Sequence, residues 1–106
     1  MNVRIEDPES MNVLGLFLAK SLRRQPDACP LAGTLGVEAG DMRAYVRFDG
    51  GRAVVSRAAP SAASLVSGPL DALVAAFARP GLRSLLRIRV RGSRLFALRA
   101  LKWLVP

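Results

Sequence analysis

The sequence has no histidine and only one cysteine, and both scarcities limit what its side chains can do chemically. Histidine is the commonest general base and metal ligand in proteins. Cys29 stands in no thiol motif, and no histidine is available to activate it. The acids are scattered except for Glu6, Asp7 and Glu9, which we interpret as charges at a helix start. We therefore predict a protein that is not an enzyme and has no catalytic residue, metal ligand or cofactor.

The sequence also lacks a long apolar run and a positively charged N-terminal segment. No apolar run is longer than the seven residues of 13–19, whereas a transmembrane helix needs about 20 apolar residues. A secretory signal would begin with positive charge, and a single cysteine excludes an internal disulfide bond. We expect residues 1–106 to form a single domain in the cytoplasm, with any membrane contact peripheral.

Acidic residues are absent from the last third of the chain. Residues 1–71 contain all eight acids and half of the sixteen bases, so the net charge of +8 falls on residues 72–106. Arginine supplies fourteen of the bases, which a codon bias explains in part, but such a bias does not explain the missing acids. A surface of this charge attracts anionic membranes or nucleic acid. Nucleic acid is the less favoured partner, because aromatic residues make up 6% of the chain and no recognition motif is present.

The bases are ordered within the segment 86–91. Apolar residues alternate there with Arg87, Arg89 and Arg91, which places the three arginines on one side of a predicted strand. We predict that these arginines face solvent and contact an anionic membrane surface.

Hydrophobic periodicity predicts an α+β fold with a five-stranded mixed sheet flanked by helices. The first helix begins around Asp7 and ends before Pro26, with Met11, Leu14, Leu18 and Leu22 on its apolar side. We interpret that side as core; a membrane anchor is the alternative, although the polar side has few bases. Alternating patterns and glycine-rich turns predict strands at residues 34–39, 43–48, 52–57, 64–67 and 86–91. Further helices follow Pro69 and Gly92.

The last helix, residues 94–105, is apolar around most of its circumference. Arg99 and Lys102 define a polar arc of modest width. A helix of this kind needs burial on more than one side, and a chain of 106 residues has little protein to surround it. The helix therefore either covers a cavity that holds an apolar ligand, or packs against a partner or a membrane.

Three segments resemble the type-2 sterol carrier protein family. They are a short strand leading into a helix at residues 63–73, a hairpin at 46–55 and an arginine-rich strand ending in glycine at 86–92. Two departures are Ser93, where the family commonly has an acid or asparagine, and a short helical connection at 80–85 that would narrow the cavity.

The resemblance implies a sheet and helices that enclose an apolar tunnel for sterols, fatty acyl groups or isoprenoid and quinone lipids. By this resemblance, the residues that line the tunnel are Val74, Phe77, Ile88, Leu98, Leu101 and Leu104. We predict non-catalytic binding or carriage of such a lipid. The alternative is an interaction module, or a homodimer, that uses the apolar C-terminal helix.

Overall fold

In the described part of the chain, six strands form one mixed sheet, and helices pack on one of its two faces. A computed structural model describes residues 1–26, 29–59, 61–69, 71–73 and 88–104. The elements are β1 (Asn2–Ile5), α1 (Val13–Arg23), β2 (Ala32–Ala39), β3 (Met42–Asp49), β4 (Arg52–Ser56), β5 (Ser64–Gly68), β6 (Arg89–Gly92) and α2 (Arg94–Leu104). Residues 71–73 are also helical, where a second helix was predicted.

The sheet confirms the predicted α+β class and corrects the predicted number of strands. Its order is β1-β4-β3-β2-β5-β6. β2, β3 and β4 form an antiparallel meander, as their alternation predicts, whereas β1 pairs with β4 and β5 pairs with β2 in parallel. The predicted count of five strands is wrong because β1 was not foreseen. This strand has only four residues, and its pairing with β4 spans about fifty positions of sequence.

The first helix begins later than predicted. Asp7 has a positive φ of 47°, and its carbonyl oxygen accepts a hydrogen bond from the Ser10 N–H at 3.0 Å, so this segment is a turn. Asn12 is the N-cap instead, because its Oδ1 accepts a hydrogen bond from the Gly15 N–H at 2.9 Å. An Asp-Pro-Glu sequence suits a turn as well as a helix start, and here the chain must first leave β1.

The core lies between α1, α2 and the inner face of the sheet. α1 contacts β1, β3 and β4, and α2 contacts β2, β5, β6 and α1. The predicted apolar side of α1 is confirmed as core, since Leu14, Leu18 and Leu22 are fully buried. The sheet contributes every second residue of its strands to this core, including Leu35, Val37, Ala44, Val46, Phe48, Val55 and Val66.

The outer face of the sheet is polar and is crossed by the connection between β4 and β5. Its exposed side chains include Arg4, Arg47 and Arg52. Residues of the connection, Ala58 and Ala59 among them, line a hollow of about 230 Å³ together with outer-face residues. The helices therefore cover one face and a short loop crosses the other.

Loss of the Asn12 side chain is expected to destabilise the fold. Asn12→Ala removes the cap on Gly15 and is expected to lower the free energy of unfolding by about 1 kcal/mol. The Asn12 Nδ2 also donates to the Arg43 carbonyl oxygen at 3.0 Å, which joins α1 to β3. Asn12→Asp keeps the capping oxygen but loses this donor, so it should cost less. Urea denaturation followed by circular dichroism measures both variants. No loss in Asn12→Ala would contradict this helix start.

Candidate functional site

The turn between β6 and α2 sets the position of the last helix. Gly92 has φ +84°, and a Cβ at this position would lie 2.4 Å from the Ala63 carbonyl oxygen. Only glycine fits this backbone and this close approach. The Ser93 N–H donates to the same Ala63 oxygen at 2.9 Å, which fixes the turn against the start of β5.

Ser93 caps α2. Its Oγ accepts a hydrogen bond from the Phe96 N–H at 3.2 Å, and its carbonyl oxygen accepts the first helical bond from Ala97 at 3.1 Å. Serine is one of the preferred N-cap residues. The departure from an acid or asparagine at this position therefore leaves the helix start intact.

α2 packs on the sheet through an aromatic ring and two small residues. The Phe96 ring meets the Phe48 ring edge to face, with centroids 6.4 Å apart and an interplanar angle of 74°. Ala97 and Ala100 are fully buried, so the helix backbone lies close to the strands. Leu101 is buried at the same side of the helix, with 9% of its surface exposed.

An open groove of about 530 Å³ lies between α2 and the edge strand β6. Its volume is within the range of about 300–1,000 Å³ that is usual for small-molecule sites. The residues that line it are Ile88, Arg89, Val90, Arg91, Arg94, Ala97, Leu98 and Leu101. The described residues thus form an open groove at this place instead of the enclosed tunnel that the resemblance implied.

The groove combines an apolar surface with basic side chains. Ile88, Val90 and Leu101 supply part of the apolar surface, and no acid is among the described residues that line the groove. Arg91 and Arg94 are exposed, so their guanidinium groups keep contact with water. Such a site suits a ligand with an apolar part and an anionic part.

Comparison with known proteins identifies the fold. No protein-family model and no curated protein sequence matches the chain. Among solved structures, a UbiJ-SCP2 ubiquinone synthesis protein is similar, with a TM-score of 0.69 and 17% identity over 92% of this chain and 90% of that chain. A sterol carrier protein 2 matches with a TM-score of 0.51 and 12% identity over 85% and 86% of the two chains. A hypothetical protein from Thermus thermophilus, described as possibly a sterol carrier protein, matches with a TM-score of 0.52 and 15% identity over 99% and 91%.

This chain has the type-2 sterol carrier protein fold. The matches cover nearly the whole chain, so the fold predicted from three short segments is confirmed. The sequence identities are low, and the similarity concerns the fold.

The sterol-carrier fold brings together three of the six predicted lipid-binding residues. Ile88, Leu98 and Leu101 line the groove. Val74 and Phe77 lie outside the described residues. Leu104 is the last residue of α2, and its side chain also lies outside the part that the structure describes. The prediction missed Val90, Ala97 and Arg94 as lining residues. The alternation of β6 already pointed to Val90, whereas Arg94 depends on the path of the turn at Gly92.

Two of the three predicted membrane-contacting arginines are described. Arg89 and Arg91 are exposed, as predicted, and Arg87 lies outside the described residues. Their cross-strand partners are Ser67 and Leu65, which belong to the outer face of the sheet. Because β6 is an edge strand, the same two arginines also line the groove.

The described residues contain neither a cluster of metal ligands nor a membrane-spanning helix. No group of three or more cysteines and acids within this part of the chain is placed to hold a metal ion. No helix in the same residues is long and apolar enough to cross a membrane.

Leu98 and Leu101 are expected to respond differently to truncation. Leu101 is buried, so Leu101→Ala should lower the free energy of unfolding by about 2–5 kcal/mol. Leu98 is 54% exposed, so Leu98→Ala should cost about 0.5 kcal/mol or less while weakening the binding of a fluorescent fatty acid. Chemical denaturation of ligand-stripped protein and a fluorescence titration measure the two effects. Strong destabilisation by Leu98→Ala with unchanged affinity would assign Leu98 to ordinary core.

Proposed function

We propose that this protein binds and carries an apolar lipid in the groove between β6 and α2. The observation that carries the proposal is the groove itself, whose volume of about 530 Å³ and apolar lining suit a lipid chain. Proteins of similar fold support it, since two are described as a sterol carrier protein and a ubiquinone synthesis protein. The role we propose is binding or carriage without catalysis.

The lining residues favour one kind of lipid among sterols, fatty acyl groups, isoprenoids and quinones. Three arginines, Arg89, Arg91 and Arg94, stand beside the apolar surface with no acid among the lining residues. A neutral sterol or quinone has no charge for them to bind, whereas a carboxylate or phosphate pairs well with guanidinium groups. We therefore propose a single-chain lipid, acyl or isoprenoid, with an anionic head group.

Carriage requires contact with a membrane, and we propose that this contact is transient. The net charge of +8 favours anionic lipid surfaces, which would attract the protein from the cytoplasm. Arg89 and Arg91 are exposed beside the groove and so contribute to this attraction. A homodimer or a partner protein bound through α2 is the alternative function, and it stays a prediction.

Titration with matched ligands tests the proposal. A fluorescent long-chain fatty acid is expected to bind more tightly than its methyl ester, which has the same chain without the charge. Replacing both Arg91 and Arg94 by glutamine should weaken the acid about tenfold, because charge-assisted hydrogen bonds are lost, and should leave the ester unchanged. Arg4→Gln with Arg52→Gln is the control, since these exposed arginines lie outside the groove. Absence of binding by either ligand would contradict the proposed function, and equal loss for both ligands would contradict the anionic head group.

A further inference from the structure

Among the described residues, exposed large hydrophobic side chains occur only on α1 and α2. In the described part of the chain there are four, namely Val13 (69% exposed), Leu16 (46%), Leu95 (60%) and Leu98 (54%). The first two belong to α1 and the other two to α2. Leu98 also lines the groove, but Val13, Leu16 and Leu95 line none of the described pockets, so the ligand site does not account for them.

On α2 these side chains share one arc with basic residues. At about 100° per residue, Leu95 and Leu98 lie within an arc of about 140° that also contains Arg94, Arg99 and Lys102. Every residue of this arc is exposed. The buried residues Ala97 and Ala100 lie on the opposite side, toward the sheet, so the arc points away from it.

α1 has the same arrangement. Val13 and Leu16 lie within an arc of about 80° that also contains Lys20 and Arg23, all of them exposed. The opposite side is the buried stripe of Leu14, Leu18 and Leu22. Neither helix contains an acid. Because both helices pack on the same face of the sheet, their two arcs point to the same side of the protein.

The outer face of the sheet differs from the exposed arcs of α1 and α2 in both charge and polarity. On β2 and β3 this face carries acids beside its arginines, and Arg43 forms an ion pair with Glu38. Asp49 is exposed on the same face, directly after Arg47 and Phe48. No large hydrophobic side chain in the described part of this face is exposed. Apolar and basic side chains without acids therefore occur together on the helices.

We propose that the outward faces of α1 and α2 form a docking surface for an anionic lipid bilayer. The bases bind lipid head groups, and the four apolar side chains enter the boundary between head groups and acyl chains. A nucleic acid offers no apolar surface for these four side chains. Two copies of the protein docked through this surface would place their bases against each other, and like charges repel. This inference rests on the proposed contact of the carrier with a membrane and names the surface that makes it.

The docking surface is continuous with the groove. Arg94 and Leu98 belong both to the exposed arc of α2 and to the lining of the groove. When the helices lie on a bilayer, the groove opens beside the lipid head groups. A lipid then passes from membrane to groove with little of its chain in contact with water.

Vesicle binding of matched variants tests the surface. Leu16→Gln with Leu95→Gln removes two exposed apolar side chains outside the groove, and is expected to weaken binding to vesicles rich in phosphatidylglycerol by about tenfold. Lys20→Gln, Arg23→Gln and Arg99→Gln together should weaken it by roughly a hundredfold. The charge-matched control is Arg4→Gln, Arg47→Gln and Arg52→Gln on the outer face of the sheet, for which a smaller loss is expected. Phosphatidylcholine vesicles should bind every variant weakly.

Two results would overturn the proposal. In the first, the control variant loses as much vesicle binding as the helix variants. In the second, the wild-type protein does not prefer anionic vesicles. Circular dichroism and thermal unfolding verify that each variant is folded. Fatty-acid titration without vesicles provides the separate readout, because none of the substituted helix residues lines the groove. If titration fails while vesicle binding depends on the helices, the lipid-carrier function is wrong and the docking surface stands.

Discussion

The packing of α2 on the inner face of the sheet is the constraint on which the proposed site depends. Phe96 meets Phe48 edge to face, and the small residues Ala97 and Ala100 let the helix backbone approach the strands. The turn at Gly92 connects the edge strand β6 to the helix and sets the position of the helix on the sheet. The helix is held over the sheet, β6 is the last strand in the order of the sheet, and a groove lies between them. A bulkier side chain at position 97 or 100 would move the helix and reshape that groove.

The distribution of charge gives the two sides of the protein different properties. On the outer face of the sheet, β2 and β3 carry acids beside arginines, as in the pair of Arg43 and Glu38. α1 and α2 contain bases and no acid, and in the described part of the chain the exposed large apolar side chains belong to these two helices. A strongly basic protein would bind polyanions indiscriminately through charge alone. Leucines beside the bases favour a bilayer, which offers both negative charge and an apolar interior.

The local signals in the sequence were sufficient for the antiparallel meander and insufficient for the edges of the sheet. Alternation and the glycine turn at Gly50 and Gly51 define β2 to β4, because hairpin pairing is local. β1 was missed because it pairs with a distant strand, and its four residues carry little periodicity of their own. The exposure of Leu98 could not be predicted from the sequence either, because a helix that is apolar around most of its circumference is expected to be buried.

The central proposal is that the groove beside α2 holds a lipid, and the alternative is that α2 forms an interface between two copies of the protein. Native mass spectrometry of protein purified without detergent tests this most directly, because it reports ligand mass and oligomeric state in one spectrum. The account predicts a monomer with an additional mass equal to one lipid molecule, and loss of that mass after delipidation. A dimer without added mass, persisting at low protein concentration, would contradict it and would assign the exposed side of α2 to a protein interface.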